Sequence, residues 1–457
     1  MSEFQYDLVI IGAGPGGYEA AYEAADFGMK VALVEKDLVG GTCLNRGCVP
    51  TKTMMHSSDA YRIATQSANI GVSAEGVKAD LNRIIDRKCE VSETLRDGIM
   101  FLLKKKKVDF VAGTAKVTDG HTVEISGNDE VSELTAANIM IATGSEPATP
   151  PIPGADLPGV LDSTGMLELR GEIMKDFVII GGGVIGIEFA TIYSDLGTNV
   201  TVVEAMDRLL PNMDKELGRS LKMNFKNRGI DTHTNAMVEK IEERNGRLVC
   251  FYKEKDKVQE VEADHILVCT GRRPVTKGVF SEELEEKLGA RGFLQVDDCY
   301  RTEIPSIYGI GDAIGGTMLA HTATAEGRNA VAIMNGKEPE INMNVVAGCI
   351  YTSPEIASVG LTQDEAKEAG IDVITKKFPT SANGKTIIEE LDRGFIKLVA
   401  SKEDHTLLGA QLMCGRATDI IGELAVAIAN GLTIEEVANT IHPHPTFVEA
   451  VCEAARA

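Results

Sequence analysis

The chain has 457 residues, a formal net charge of −22, 44% hydrophobic residues and 25% charged residues. This composition is typical of a globular protein, and the length predicts about three domains. The strong negative charge argues against binding to nucleic acid or to an anionic membrane surface. No apolar run in the sequence is long enough to cross a membrane, so neither nucleic acid nor membrane is expected as a partner.

The cysteine pattern and the N-terminal segment both bear on location. Nine cysteines are scattered without a disulfide framework, which indicates a reducing compartment. The short apolar run near the N-terminus leads directly into glycines, which predicts a buried strand instead of a signal peptide. A cytoplasmic location is therefore expected.

The first predicted element is a strand followed by a glycine-rich turn. Residues 6–11 form an apolar run that predicts a buried parallel strand, and the glycine-rich segment 12–17 then turns the chain into a helix. In such a segment Gly12 permits a tight turn, Gly14 lets the backbone approach a pyrophosphate, and Gly17 lets helix and strand pack closely. The helix N-terminus favours the phosphate charge.

A second predicted strand, 31–35, ends at Glu35, whose carboxylate can accept hydrogen bonds from a ribose diol. Strand, glycines, helix, strand and acid follow in the order of a dinucleotide-binding unit. The same unit recurs from 177 to Glu204, and the first glycine precedes the acid by 23 positions in both (35 − 12 and 204 − 181). Two such units indicate either two bound dinucleotides, or one bound dinucleotide and a second unit that is a decayed duplicate of the first. The glycines that repeat the first set are Gly181, Gly183 and Gly186.

The segment 40–52 contains two cysteines, Cys43 and Cys48, shortly after the first unit. Five residues along a regular helix separate two Cα atoms by roughly 8–9 Å, whereas a disulfide tolerates about 7 Å at most. A bridge would therefore need a distorted turn, which Gly47 would facilitate. A strained, accessible disulfide is easily reduced and suits catalysis. The alternatives are two unrelated buried cysteines or half a metal site, but no further ligand cluster follows at the required spacing, so no metal is expected.

Later segments carry weaker signals. Apolar strands at 139–145 and 266–274 each contain Thr-Gly, and Asp312 ends the segment 307–312. The pattern changes at about Val345, and near the C-terminus a histidine lies five residues before Glu449. In isolation, such an aspartate or histidine–glutamate pair would be interpreted as a cap or a solvated side chain.

Taken together, from Tyr6 to Glu449, these segments resemble the flavin-dependent pyridine nucleotide–disulfide oxidoreductases, and 40–52 resembles their redox-disulfide motif. The resemblance implies an α/β fold with two Rossmann-like dinucleotide-binding domains and a C-terminal α+β dimerisation domain. The implied boundaries are 1–146 and 272–344 for the FAD-binding domain, 147–271 for the NAD-binding domain and 345–457 for the interface domain.

The resemblance also assigns catalytic roles. It implies that Cys43 is the outer, interchange thiol and that Cys48 lies nearer the flavin. Lys52 and Glu188 would form a pair beside the reactive nitrogen of the flavin, although two surface charges would be the default interpretation of these residues.

The base is expected from the C-terminal motif. His444 would deprotonate the incoming dithiol, Glu449 would orient its ring, and His442 is the less favoured choice. In the family the histidine is donated by the other chain of a homodimer, so a homodimer is implied. The bond from His444 to Pro445 is expected to be cis, as in relatives.

FAD is expected in the first unit and NAD in the second. Glu204 would repel a ribose 2′-phosphate, while Ala205 and Pro211 occupy positions where NADP-using relatives carry arginines; Gly186 is kept where those relatives favour alanine. The residues expected to contact the two cofactors are Gly12, Gly14, Gly17, Glu35, Lys36, Gly41, Thr42, Lys52, Ala115, Thr143, Gly144, Ser145, Asp312, Leu319, Ala320, His321, Gly181, Gly183, Gly186, Glu204, Val238 and Gly271.

Within the family, the segments most resemble the members that oxidise protein-bound dihydrolipoamide with NAD⁺. This implies a lipoyl-bearing acyltransferase or a glycine-cleavage carrier protein as the partner. The alternatives are a glutathione- or mercuric-reductase-like enzyme and a mainly structural subunit of a 2-oxo acid dehydrogenase complex. Glu204 opposes the NADP that glutathione-type enzymes use, and only Cys452 lies where mercuric-type enzymes carry a vicinal cysteine pair.

Overall fold

The structure is a computed structural model that describes residues 4–290 and 292–457. Its helices are α1 (Pro15–Asp26), α2 (Gly41–Arg46), α3 (Cys48–Gln66), α4 (Leu81–Lys105), α5 (Ser163–Glu168), α6 (Val184–Asp195), α7 (Lys215–Asn227), α8 (Glu282–Leu288), α9 (Ala320–Met334), α10 (Gln363–Glu368), α11 (Gly384–Ile388), α12 (Ala417–Ala429), α13 (Ile434–Ala438) and α14 (Glu449–Arg456). Short 3₁₀ turns occur at Ser67–Ile70, Gly311–Ala313 and Thr380–Ala382.

The strands divide among several sheets and complete the α/β architecture. They are β1 (Tyr6–Ile11), β2 (Val31–Glu35), β3 (Asp109–Ala112), β4 (Thr114–Val117), β5 (Thr122–Ser126), β6 (Glu133–Ile141), β7 (Ser145–Pro147), β8 (Val160–Leu161), β9 (Asp176–Ile180), β10 (Asn199–Glu204), β11 (Asp231–Thr234), β12 (Ala236–Arg244), β13 (Arg247–Glu254), β14 (Lys257–Ala263), β15 (His265–Val268), β16 (Arg272–Pro274), β17 (Gly289–Ala290), β18 (Phe293–Leu294), β19 (Ile307–Gly309), β20 (Gly348–Ile350), β21 (Glu355–Gly360), β22 (Val373–Pro379), β23 (Phe395–Ser401) and β24 (Leu407–Cys414).

The first sheet is built around β1. Its strand order is β3-β2-β1-β6-β5-β4, and β19 joins it by pairing with β6. β1 is parallel to both β2 and β6, and Leu8, Val9 and Ile10 are fully buried. A continuous apolar run suits a parallel strand that is covered on both faces. The predicted strands at 6–11 and 31–35 are confirmed with these bounds.

The second sheet repeats this design with the order β11-β10-β9-β15-β8. All of its strand pairs are parallel. The antiparallel strands β12, β13 and β14 pack against it, since Cys250 and Tyr252 share a buried cluster with Val178 and Ile180.

The chain passes between the two sheets through a two-stranded ribbon. β7, on the way out, pairs antiparallel with β16, on the way back, with Ser145 opposite Pro274. The predicted junctions at 146/147 and 271/272 fall in this ribbon, and the domain boundaries themselves stay predictions.

The C-terminal region forms a separate antiparallel sheet of order β20-β21-β24-β23-β22. Helices α12, α13 and α14 cover one face, where Leu398, Leu412, Ile421 and Val451 share a buried cluster. This mixture of an antiparallel sheet and helices agrees with the predicted α+β region. Among residues 4–290 and 292–457, the structure contains no helix with the length and apolar character needed to cross a membrane.

Candidate active site

The first glycine turn leaves no room for side chains at two positions. Gly12 has φ +102°, and a Cβ on it would lie 2.4 Å from the carbonyl oxygen of Ala142. A Cβ on Gly17 would lie 1.9 Å from the carbonyl oxygen of Gly12, which explains the close packing of α1 on the sheet. A Cβ on Gly14 would only reach the Cα of Gly41 at 3.9 Å, so its backbone stays accessible.

The second glycine turn has the same geometry. Gly181 has φ +117°, and its Cβ would lie 2.6 Å from the carbonyl oxygen of Cys269. A Cβ on Gly186 would lie 2.1 Å from the Gly181 carbonyl oxygen, whereas one on Gly183 would meet no described atom within 4 Å. Both turns therefore leave open backbone where a pyrophosphate would be bound.

The two acids that end β2 and β10 hold the glycine turns in place. Glu35 accepts a hydrogen bond from the backbone N–H of Ala13 at 2.8 Å, and Glu204 accepts one from Gly182 at 2.5 Å. The residue two positions after each glutamate donates to its other oxygen, at 2.9 and 2.6 Å. The sequence suggested only a ribose partner; the contact with the glycine turn was missed, and the ribose contact stays a prediction.

A cavity of about 1960 Å³ connects these two turns. Small-molecule sites usually measure about 300–1,000 Å³, so this volume suits two large cofactors. The predicted cofactor contacts that line it are Gly12, Gly14, Glu35, Lys36, Gly41, Thr42, Lys52, Thr143, Gly144, Ser145, Asp312, Leu319, Ala320, His321, Gly181, Gly183, Glu204, Val238 and Gly271.

Three predicted contacts are not among the residues that line the cavity. Gly17 and Gly186 lie in the helix–strand packing described above. Ala115 is 7% exposed and packs into the core of the first sheet, so its contact with a cofactor stays a prediction.

The cysteine segment contains the distortion that its spacing requires. Helix α2 ends before Gly47, which has φ −150° and ψ −111°, and α3 begins at Cys48. This break brings the side chains of Cys43 and Cys48 into hydrogen-bonding contact. The two cysteines therefore lie next to each other, as the predicted disulfide requires.

The two thiols differ in their acidity. The pKa of Cys48 is lowered to about 7, first by the hydrogen bond with Cys43 and then by the Lys52 ammonium, against the effect of burial. The pKa of Cys43 is raised, first by the same hydrogen bond and then by burial. Of the two thiols, Cys48 is therefore the first to lose its proton, with a midpoint near neutral pH, while Cys43 keeps its proton.

The structure brings Lys52 and Glu188 together across α3 and α6. The Lys52 Nζ lies 2.8 Å from both carboxylate oxygens of Glu188, whose side chain is 5% exposed. Tyr351 donates its backbone N–H to Glu188 at 3.2 Å, and its ring centroid lies 4.6 Å from the Lys52 Nζ. Burial alone would lower the pKa of Lys52, but the carboxylate outweighs it and the net pKa is raised. A fixed ammonium therefore lies beside the thiol pair.

The C-terminal histidine is paired but lies apart from the cysteines of its own chain. The Nδ1 of His444 lies 2.7 Å from Glu449, while Asn383 donates to the other carboxylate oxygen at 3.3 Å. The His444 side chain is 78% exposed and is not among the cavity-lining residues. Both ring nitrogens of His442 are engaged at 2.9 Å, and its side chain is 6% exposed. The bond from His444 to Pro445 is cis.

The sequence interpretation missed the contacts that fix the segment of Asp312, although Ser145 was among the predicted cofactor contacts. Arg272 donates to the hydroxyl and to the carbonyl oxygen of Ser145, both at 2.7 Å, and the Ser145 hydroxyl donates to Asp312. Glu326 accepts the backbone N–H of Gly311 at 2.6 Å, and burial raises its pKa to about 7. Arg272 follows the second Thr-Gly directly, which was the available signal. Nothing in the sequence pattern pointed to Glu326.

Comparison with known proteins assigns the family. The sequence profile of the pyridine nucleotide-disulphide oxidoreductases matches residues 6–327, and the profile of their dimerisation domain matches 346–455. The dihydrolipoyl dehydrogenase of Geobacillus stearothermophilus is 40% identical over 450 residues, which cover 98% of this chain and 95% of that protein.

Solved structures of similar proteins superpose on this chain over nearly its whole length. LpdA from Mycobacterium tuberculosis superposes with a TM-score of 0.90 at 29% identity and covers 98% of both chains. The HOCl-induced flavoprotein disulfide reductase RclA from Escherichia coli gives 0.87 at 28% identity and covers 100% of this chain and 99% of its own. The predicted fold class and FAD and NAD as cofactors are confirmed, and the dimerisation domain supports a homodimer. The chain belongs to the pyridine nucleotide-disulphide oxidoreductase family.

Proposed function

We propose that the chain is an NAD-dependent dihydrolipoyl dehydrogenase, which oxidises a protein-bound dihydrolipoyl group to the lipoyl disulfide. The observation that carries the proposal is the contact of Cys43 with Cys48 across the helix break at Gly47, beside the Lys52 ammonium that Glu188 holds at 2.8 Å. The relatives named dihydrolipoyl dehydrogenase, at 40% identity over nearly the full chain, support the choice of substrate.

The thiol pair explains the first half of the reaction. In the oxidised enzyme, a substrate thiolate attacks the sulfur of Cys43, forms a mixed disulfide and expels Cys48 as a thiolate. A thiol of low pKa leaves fastest, which favours attack on Cys43. The second substrate thiolate then attacks the substrate sulfur of the mixed disulfide and expels Cys43. The substrate has lost two electrons and two protons, and both electrons are on the cysteine pair.

The cofactors would be bound along the large cavity. The first glycine turn and Asp312 would hold FAD, and the second turn and Glu204 would hold NAD⁺, in the domains with the boundaries predicted above. Bound FAD supplies the two-electron chemistry that connects the dithiol to NAD⁺. Lys52, held by Glu188, would stabilise negative charge at this point of the cavity.

The second site is proposed to select NAD over NADP. Glu204 is 7% exposed and has both carboxylate oxygens bound by backbone N–H groups. A 2′-phosphate placed there would meet a fixed negative charge. Ala205 and Pro211, which line the same cavity, offer no compensating cation.

A homodimer would complete the catalytic centre with the partner's histidine. In the region matched by the dimerisation profile, several large apolar side chains are exposed, which suits an interface: Ile387 by 62%, Ile388 by 60%, Val426 by 63% and Ile441 by 96%. Ile441 begins the segment that carries His444. We propose that His444 takes a proton from the substrate dithiol of the partner chain, while Glu449 holds its ring in one orientation.

The proposed partner is a lipoyl-bearing acyltransferase or a glycine-cleavage carrier protein, and the proposed location is the cytoplasm. The nine cysteines are scattered along the sequence without a disulfide framework, which suits a reducing compartment.

A substrate panel tests the proposal. The FAD-loaded protein should reduce NAD⁺ with dihydrolipoamide and show far lower activity with NADP⁺. With NADH or NADPH as donor, it should leave glutathione disulfide and mercuric ion largely unreduced. A preference for either alternative substrate would replace the assignment, and a folded FAD-loaded protein inactive toward every substrate would indicate a structural subunit.

A further inference from the structure

A second, smaller cavity lies where the loop after β10 meets helix α7. It measures about 250 Å³ and is lined by residues 207–209, by Thr234 at the end of β11 and by one face of α7. A Cβ on Gly218 would lie 2.4 Å from the carbonyl oxygen of Leu209. Because this glycine lets the loop pack directly on the helix, the walls of the cavity are fixed by backbone contact.

The cavity concentrates positive charge in a strongly acidic protein. Its basic residues are Arg208, Lys215, Arg219 and Lys222. The three on α7 are spaced i, i+4 and i+7, which places them on one helix face. The opposing carboxylates are Asp207, 3.2 Å from Arg208, and Asp364, 2.9 Å from Lys215. Four positive and two negative groups leave a local charge of +2, against −22 for the whole chain.

Among the described residues, one buried donor at this cavity lacks an acceptor, and two exposed cations have no carboxylate partner. The Nε of Arg208 is buried and has no hydrogen-bond partner among the described residues. Arg219 makes no hydrogen bond or ion pair within the described ranges, and Lys222 contacts only the neutral hydroxyl of Thr234, at 3.0 Å. A buried N–H without an acceptor usually indicates a missing partner. For the buried Nε of Arg208 that partner would be an anion, since the two exposed cations add positive charge at the same cavity.

We propose that this cavity is a binding site for a phosphate-type oxyanion, either free phosphate or a diphosphate. Guanidinium groups match phosphate oxygens in charge and geometry. The volume lies below the usual range of about 300–1,000 Å³ for whole small-molecule ligands, which favours a phosphate or diphosphate over a nucleotide. The site lies next to the nucleotide cavity, since Arg208 donates to the carbonyl oxygen of Pro211 at 2.9 Å and Pro211 lines that cavity.

Direct calorimetry separates this site from the nucleotide site. The FAD-loaded enzyme is first saturated with NAD⁺, so that the glycine turn at Gly181 is occupied, and is then titrated with inorganic phosphate or with diphosphate. Chloride keeps the ionic strength constant, because charge effects depend on salt. We expect saturable binding in the presence of NAD⁺, and the tighter of the two probes identifies the preferred anion.

A matched pair of variants tests the residues. Arg219 and Lys222 are exposed, so Arg219→Gln with Lys222→Gln should leave the fold intact and weaken anion binding at least about tenfold. Lys226→Gln removes an exposed cation from the same helix outside the cavity and should change nothing.

Three results would overturn the site: binding that disappears when NAD⁺ is present, binding that survives the double variant unchanged, or equal weakening by Lys226→Gln. Because the measured quantity is heat of binding, none of these results depends on which disulfide substrate the enzyme uses.

Discussion

The two dinucleotide units have the same turn but different surroundings. Gly12 and Gly181 have similar positive φ values, +102° and +117°. In the first unit a Cβ on Gly14 would lie 3.9 Å from the Cα of Gly41 in α2, and one on Gly16 would lie 3.0 Å from the carbonyl oxygen of Ala323 in α9, so that later segments pack against the turn. In the second unit a Cβ on Gly183, the counterpart of Gly14, would meet no described atom within 4 Å, and Val184 is 42% exposed.

This difference indicates that the local sequence determines the conformation of the turn. Elements distant in sequence determine how far the bound ligand is enclosed. The first turn is closed by α2 and α9, as expected for a cofactor that stays bound. The second turn contacts the loop after β10 at Gly182 but is open at Gly183, which suits a nucleotide that enters and leaves. The cysteine pair and Lys52 line the same cavity as both turns.

The largest effect should come from removing either cysteine of the pair that passes electrons from the substrate to the cofactor. Cys43→Ser and Cys48→Ser should each reduce dihydrolipoamide oxidation at least about 10³-fold, because residues that act as one unit fail together. Both variants should keep FAD and should still pass electrons from NADH to an artificial acceptor. Cys89→Ser, at an exposed position on α4, is the control and should behave as the native enzyme; near-native dihydrolipoamide oxidation in either variant would contradict the relay.

Alanine in place of the first glycine of each turn should affect the two dinucleotide units independently. Gly12→Ala should impair FAD retention, measured as flavin absorbance per chain, because its Cβ would overlap the Ala142 carbonyl. Gly181→Ala should keep FAD and raise the KM for NAD⁺ about tenfold to a hundredfold, since small displacements of a binding group cost that much.

Gly28→Ala is the matched control for these glycines. Gly28 also has positive φ, +82°, but a Cβ there would meet no described atom within 4 Å. It should therefore show only a modest loss of stability, about 1–2 kcal/mol from the left-handed backbone. Equal loss of FAD in all three variants would mean that backbone strain, not the cofactor site, explains the result.

Removing the glutamate that ends β2 or β10 should also affect the two dinucleotide units independently, with smaller effects than the glycine substitutions. Glu204→Ala should raise the KM for NADH about tenfold, the value of one hydrogen bond to a charged group, and should affect NADPH less. Adding arginine at Ala205 and Pro211 should move the preference further toward NADP. Glu35→Ala should leave the preference between NADH and NADPH unchanged and weaken FAD binding instead. A native preference for NADPH would contradict this account.

The smallest effect concerns acidity. Because the pKa of Cys48 is lowered to about 7, the thiolate should be present above this pH and protonated below it. The rate of alkylation of the reduced enzyme by iodoacetamide, mapped to Cys48 by mass spectrometry, should rise with a midpoint near pH 7. Lys52→Met should move the midpoint toward the ordinary thiol value, because it removes a stabilising cation. An unchanged midpoint would show that Lys52 does not act on the thiol.

The sequence predicted those parts of the molecule that depend on neighbours along the chain. The strands around Gly12, the separation of the acids from their glycines, and the distorted turn at Gly47 all follow from local spacing. The pairing of Cys43 and Cys48 came from the family resemblance. Spacing predicted only that, if the two cysteines pair, the turn between them must be distorted.

The remaining contacts join segments that are distant in sequence. Arg272 donates to Ser145, and Asn383 donates to Glu449. The position of Arg272 directly after Thr-Gly could have marked it as a candidate, but neither spacing nor periodicity could indicate its partner or the contact of Asn383. The proposed role of His444 at the cysteines of a partner chain could be inferred only from resemblance. Local sequence patterns do not show which distant segments pack together.

The central claim is that the two cysteines have separate roles, with Cys43 attacked by substrate and Cys48 expelled. The most direct test is to react the oxidised, FAD-loaded enzyme with a monothiol such as 2-mercaptoethanol, quench with acid, and map the mixed disulfide by peptide mass spectrometry. Our account predicts the adduct on Cys43 and a free thiol at Cys48. An adduct found mainly on Cys48 would contradict it and reverse the two roles.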